Sequence, residues 1–194
     1  MPYSNQGSIK SPPGKITGNH KKKDSPAPVR IGVSSCLLGE KVRYNGDHKK
    51  NKYVCEVLGK HFEWIPICPE VEAGMGIPRE PVKLFGTKED ARINGEKTGT
   101  DWTRRMTKTA EKQIRKMQQL DVRGFVLKKN SPSCGTGGIP VYKKNGEIAD
   151  YGPGLFVQLL LNRLPDIPVV EENQLQNKKN RENFINGVFA YRFL

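Results

Sequence analysis

Apolar residues in this chain fall in short runs that stop abruptly, and the runs alternate with segments of helical spacing. Val29–Ser34 reads as a buried first strand, Phe62–Ile67 as a second and Val122–Leu127 as a third. Between the first two, residues 49–58 place Tyr53, Val54, Val57 and Leu58 at helical spacing, with Gly59 as a stop. Strand, helix, strand predicts a βαβ unit, hence a parallel pair with a right-handed crossover. The clearest helix spans 102–120, where Met106, Ala110, Ile114, Met117 and Leu120 share one face and Lys and Arg fill the other. Thr100 or Asp101 could cap its start.

Weaker patterns complete the chain. Residues 82–85 with the Asn94-Gly95 turn predict a short hairpin-like excursion. Ile139–Tyr142 and residues 147–149 flank Asn145-Gly146, a second hairpin. Residues 154–163 read as a helix through Leu155, Phe156, Leu159 and Leu160, and 167–170 as a last short strand. The predicted class is α/β: a mostly parallel, Rossmann-like sheet with helices on both faces and short hairpin insertions. The predicted organisation is a basic, disordered tail over 1–28, an α/β domain over 29–172 and a helical extension over 173–194.

Three cysteines change this from a fold to a candidate site. Cys36, Cys68 and Cys134 each follow a predicted strand by one to a few residues. If the strands are parallel neighbours, the three thiols meet at one sheet edge, where open α/β sheets hold their ligands. Structural zinc usually uses close Cys pairs, and there are none here. Soft thiolates suit zinc and iron–sulfur clusters alike, and three donors leave one position open. The alternative is that each is a small buried hydrophobe. Cys55, in an apolar stripe, reads as core.

Other groups could join such a site. Glu70 lies two residues past Cys68, where a carboxylate could orient water. Arg79 could hold an anion or pair with Glu70. Ser131-Pro-Ser-Cys-Gly-Thr-Gly-Gly is a small-residue turn whose N–H groups could form an anion nest, with the Ser131 and Ser133 hydroxyls beside it. Tyr44-Asn45 could be a plain turn or an aromatic face for a base. A Cys–His hydrolase is disfavoured, because His20, His48 and His61 all lie in polar segments.

The net charge is +13, unevenly spread: residues 1–28 carry +4 and the remainder +9. Such a surface suits a polyanion such as RNA, or is merely solvated. No apolar stretch approaches the roughly 20 residues of a membrane span. The N-terminus has no apolar signal core, so the expectation is a cytoplasmic location without membrane partners. There, cysteines are metal ligands, catalytic thiols or core residues rather than disulfides.

Seven motifs occur together and in order: Ser34-Ser-Cys-Leu-Leu-Gly, Tyr44-Asn-Gly, Cys68-Pro-Glu, Gly74-Met-Gly-Ile-Pro-Arg79, Thr98-Gly-Thr-Asp-Trp-Thr103, Lys129-Asn-Ser-Pro-Ser-Cys-Gly135 and Gly152-Pro-Gly-Leu-Phe156. In these the chain resembles the thiouracil and thiouridine desulfidases over roughly residues 29–172. The resemblance implies a [4Fe-4S] cluster held by Cys36, Cys68 and Cys134, with one iron open. It implies a non-redox reaction: the open iron takes the thiocarbonyl sulfur of a thiolated uracil, water attacks the ring carbon, and uracil and hydrogen sulfide leave. Glu70, Ser131 and Ser133 are the expected catalytic residues; Ser35, Tyr44, Asn45 and Arg79 are the expected substrate contacts. Free thiouracil, a thiouridine nucleotide and 4-thiouridine in tRNA are all candidate substrates. The alternative is a basic RNA-binding module with a structural metal.

Departures from the resemblance are local. Many relatives carry a further Cys just before the Tyr-x-Gly motif, where this chain has Val42 and Arg43. Trp102 stands where a smaller apolar residue is common. Residues 181–192 resemble a junction into a second domain in longer relatives that act on tRNA. They also read as an ordinary amphipathic helix with Phe184, Val188 and Tyr191 as its apolar face.

Overall fold

A computed structural model describes residues 27–193. The basic tail predicted over 1–28 lies almost wholly outside the described residues. Strands β1 (Val29–Ser34) and β2 (Phe62–Ile67) pair in parallel. Helix α1 (Pro69–Glu72) is one turn that begins immediately after Cys68. Strands β3 (Val82–Gly86) and β4 (Ala91–Gly95) form a hairpin, followed by helix α2 (Thr103–Gln119) and strand β5 (Val122–Leu127). A second hairpin, β6 (Ile139–Tyr142) and β7 (Ile148–Gly152), precedes helix α3 (Leu155–Arg163), strand β8 (Val169–Glu171) and helix α4 (Lys178–Ala190).

The main sheet runs β2-β1-β5-β8, with every pairing parallel. Its strands are mostly buried because both faces are covered, which is why they read as apolar runs. On one face, Ala110, Ile114 and Met117 of α2 and Phe156, Val157 and Leu160 of α3 pack against Phe125 and Leu127. On the other, Val54, Leu58, Leu175 and the α4 residues Phe184 and Val188 pack against Ile31, Val33 and Val126. The chain leaves β1 for β2 on one side and returns to β5 on the other. The edge beyond β1 and β5 is therefore a topological switch point.

The two hairpins do more than was expected of them. They join through a parallel β3–β6 pairing into a second, mixed sheet of order β4-β3-β6-β7. Leu84, Ile93, Val141 and Leu155 bury against Met106, so α2 serves both sheets: Met106 faces the second and Ala110 to Met117 the first.

Two local expectations are corrected. Residues 49–58 do not form one α-helix; a π-helical turn, Tyr53–Val57, runs into a 3-10 turn, Leu58–Lys60. The Lys49 and Asn51 N–H groups instead donate to the Cys36 and Leu37 carbonyls, and the Asn51 side chain accepts from the Val54 N–H. That holds the segment against the turn after β1 until residue 53. Asn94-Gly95 is also not the hairpin turn. Residues 87–90 make the turn, with Thr87 Oγ1 accepting from the Asp90 N–H, while Asn94 and Gly95 end β4 opposite Lys83 and Val82. Trp102 occupies the cap position of α2, and Asp101 Oδ1 accepts from the Thr103 N–H.

Candidate metal centre

Each of the three cysteines stands at a strand end for a local reason. Cys36 sits in a 3-10 turn, Ser35–Leu38, that begins directly after β1 and closes on Gly39 in the left-handed region. Cys68 ends β2 and opens α1, where Pro69 suits the first helical position. Cys134 lies in the loop after β5, in which Asn130 adopts a positive φ of 54° and turns the chain. All three line one cavity of about 280 Å³ at the switch-point edge.

The loop carrying Cys134 is braced internally. Ser131 Oγ accepts from the Ser133 and Cys134 N–H groups at 3.3 and 3.1 Å. Gly135 N–H donates to the Ser131 carbonyl. The Ser133, Cys134 and Gly135 N–H groups are thus already taken, the Thr136 N–H donates to Glu171 Oε1, and Ser131 supports Cys134. The start of α3 locks the loop from behind: the Leu155 and Phe156 N–H groups donate to the Pro132 and Ser133 carbonyls. Gly154 permits this closeness, since a Cβ there would lie 2.5 to 2.8 Å from the Ser133–Cys134 backbone.

A carboxylate faces the thiols and is firmly held. Glu70 Oε1 accepts from Ser133 Oγ at 2.8 Å, and Glu70 Oε2 accepts from Arg79 Nε at 2.9 Å. Arg79 Nη1 donates to the Val42 and Gly76 carbonyls, both at 3.0 Å. The side chains of Arg79 and Glu70 are only 6% and 14% exposed. Arg79 Nη2 also donates to Glu70 Oε2, so four of the five guanidinium donors are committed to protein. Arg79 lines the cavity chiefly as the group that orients Glu70.

The remaining expected residues divide. Ser35 is buried and Tyr44 half-exposed, and both line the cavity; the Arg43 guanidinium lies over the Tyr44 ring. Asn45 does not join them: it is exposed, and its Oδ1 accepts from the Asp47 N–H within its own turn. Ser133 is fully buried beneath Glu70. Cys55 is half-buried, away from the cavity, with its thiol donating to the Leu37 carbonyl. His48 and His61 do not line it either. Reading the sequence alone missed Arg43, Lys49, Lys128 and Lys129, which give the cavity a basic wall. The Lys128-Lys129 pair beside the Cys134 motif was the available signal.

Burial sets the charge state of the thiols. It pushes Cys36 up to about 11, helped by neighbouring Cys68 and opposed by Lys128 and Arg43. It pushes Cys68 up to about 11 as well, with Glu70 adding to the rise and a backbone N–H opposing it. Cys134 rises well above the ordinary thiol range through burial, then through the charges of Cys68 and Glu70. Cys68 raises Cys36, and both raise Cys134, so as thiolates the three need a positive charge among them. A bound metal supplies it and deprotonates its ligands outright. The donor set is soft and all-sulfur, which fits such a group. Among the described residues no three His, Cys, Asp or Glu side chains are placed to hold a single ion. The three thiols share the lining of one cavity.

An α/β sheet that gathers three thiols, two buried and one part-exposed, with a held carboxylate at its switch point has the donors of a metal-dependent enzyme. Comparison with known proteins gives the family. The sequence model of the 2-thiouracil desulfurase family matches residues 31–172. The uncharacterized protein YbbK of Bacillus subtilis (strain 168) is 31% identical over 152 residues, covering 76% of this chain and 98% of YbbK. A solved structure of TudS, a [4Fe-4S]-dependent thiouracil desulfidase, superimposes with a TM-score of 0.62 at 32% identity. That match covers 80% of this chain and 98% of TudS. The chain belongs to the 2-thiouracil desulfurase family. Among the described residues no helix is long and apolar enough to cross a membrane.

Proposed function

We propose that this protein is a non-redox desulfidase that removes sulfur from a thiolated uracil, using a [4Fe-4S] cluster held by Cys36, Cys68 and Cys134. The observation that carries the reading is the single cavity lined by three strand-end thiols and Glu70. TudS, which its description gives as [4Fe-4S]-dependent, shares this fold at 32% identity. An all-thiolate donor set that leaves one position open suits an iron–sulfur cluster. The cluster would supply a soft Lewis acid for the thiocarbonyl sulfur.

The chain's own groups do the rest. Glu70, held by Arg79 and Ser133 at 2.9 and 2.8 Å, is placed to take a proton from attacking water. Ser133 supplies one hydrogen bond to that carboxylate, and Ser131 fixes the loop that presents Cys134. Ser35 and Tyr44 line the space for the ring, and Arg79 closes the wall beside Glu70. Arg43, Lys49, Lys128 and Lys129 favour an anionic substrate, so a thiouridine nucleotide joins free thiouracil as a candidate. Thiouridine in tRNA is the third. These side chains all lie within 29–172, which we read as the catalytic unit, with helix α4 packed on it through Phe184 and Val188.

Anaerobic reconstitution with iron and sulfide, followed by sulfide release from thiouracil, a 4-thiouridine nucleotide and thiolated tRNA, tests the reading. The expected result is about four irons per chain, broad absorbance near 400 nm as a generic mark of thiolate-ligated clusters, and hydrogen sulfide from at least one substrate. A protein that binds RNA with steep salt dependence and releases no sulfide would support the binding-module alternative instead.

A further inference from the structure

Two ion pairs stand at the wall of the cavity. On the β2 side, Glu70 and Arg79 both line the space. On the β5 side, Lys128 lines it, while its partner Glu172 stands behind. Lys128 Nζ donates to Glu172 Oε1 at 2.7 Å and to the Lys129 carbonyl at 2.8 Å. Glu172 Oε2 accepts from the Lys129 N–H at 2.7 Å, and the Glu172 N–H donates to the Leu127 carbonyl. The Lys128 N–H donates to Ser34 Oγ at the end of β1. The side chains are 19% and 11% exposed, so this lysine is neither free nor solvated.

An ammonium has three N–H donors, and two here are committed to protein. We propose that Lys128, braced by Glu172, is the anion-holding group of the cavity. Its remaining donor and its charge stabilise negative charge on sulfur or on an anionic group bound against the thiols. Lys128 lines the same cavity as Cys36 and Cys134. Lys49 and Lys129 are exposed or part-exposed and lack this brace, so Lys128 is the preorganised member of the basic wall. Glu172 is a positioning residue in this scheme. The placement of the charge stands on the geometry above, and its consequence for turnover rests on the function proposed.

The test uses the full chain in two states. In the metal-free protein, the alkylation rates of Cys36 and Cys134 by iodoacetate and by neutral iodoacetamide are compared at one pH. The ratio cancels the thiolate fraction and reads only the attraction for an anion. Lys128→Met is expected to lower the ratio roughly tenfold, Lys128→Arg to keep it within about twofold, and Glu172→Gln to keep or raise it. Because Lys128→Met strands Glu172 without its cation, Lys128→Met/Glu172→Gln removes both charges and is read in its place if the single variant fails to fold. After anaerobic loading, Lys128→Met or the double variant is expected to lose about 100-fold in kcat with KM changed less than about threefold. An unchanged alkylation ratio in folded Lys128→Met, or in Lys128→Met/Glu172→Gln where that is read in its place, overturns the proposal, as does an unchanged kcat in the same variant after loading. A wild-type chain that takes up no iron and releases no sulfide refutes the proposed function instead, and the alkylation ratio still decides the role of Lys128.

Discussion

Gly154→Ala isolates the contact that sets Cys134. Gly154 has φ −65° and ψ 152°, a conformation that alanine adopts freely. On conformational entropy alone the substitution should stabilise the protein by about 0.4–1 kcal/mol. Space decides otherwise. The new Cβ would lie 2.5 Å from the Ser133 carbonyl carbon, 2.6 Å from its oxygen and 2.8 Å from the Cys134 nitrogen. All three are backbone atoms, so no side chain can swing away. Relief requires the 131–134 loop or the start of α3 to shift by roughly half an ångström or more, and overpacking of this kind costs about 1–3 kcal/mol. The sign of the stability change is therefore the reverse of the entropic expectation. For a chain of this size each kcal/mol is about 2–4 °C in melting temperature. Gly137→Ala is the control, with open space around the new Cβ. Urea melts of the metal-free proteins give the stability difference, and iron per chain after anaerobic loading gives the consequence for the thiol. We expect Gly154→Ala to lose both stability and iron retention, and Gly137→Ala to stay within about 0.5 kcal/mol of wild type. A Gly154→Ala protein as stable as wild type, with full iron content, would refute the argument that α3 positions Cys134.

Other outcomes follow from the same geometry. Cys36→Ala, Cys68→Ala and Cys134→Ala should each lose cluster absorbance and sulfide release, whereas Cys55→Ala should keep both. Glu70→Gln should retain iron but lower kcat by about 100-fold or more, the range for a general base; a kcat within threefold of wild type would remove Glu70 from the chemistry. The metal-free protein should weaken in alkali. Burial raises Cys36 and Cys68 from 9.0 to about 11, so the folded state keeps protons that the unfolded chain loses. The stabilisation is complete below pH 9 and disappears as pH climbs to 11, at most about 2–3 kcal/mol for each thiol. Denaturant melts between pH 7 and 11 measure this, and Cys36→Ala should flatten the curve.

Much of the main sheet was legible because its signals are local. Val29–Ser34, Phe62–Ile67 and Val122–Leu127 are strands in the structure at the bounds that their apolar runs predicted. A strand buried on both faces has no polar side to blur its ends. The apolar face of α2 was equally plain, since 3.6-residue spacing is a property of the chain itself. Failures came where a distant group competes for the backbone. Residues 49–52 were drawn out of the predicted helix by the carbonyls of Cys36 and Leu37. Asn94-Gly95 has the composition of a turn, but residues 87–90 closed the hairpin first.

What the sequence determined alone was the inventory and its attachment to the strands: three thiols, each following a strand, and a carboxylate two residues past one of them. Parallel pairing does the rest, because strand ends in one sheet share an edge. What only the tertiary structure decided was orientation. Asn45 turns into its own loop while Tyr44 beside it lines the cavity. Arg79 spends its donors on Glu70 and two carbonyls. Lys128 lines the cavity with its Nζ held by Glu172, 44 residues later. Which atom a polar side chain reaches depends on partners that the fold alone brings near, and no local spacing encodes that choice.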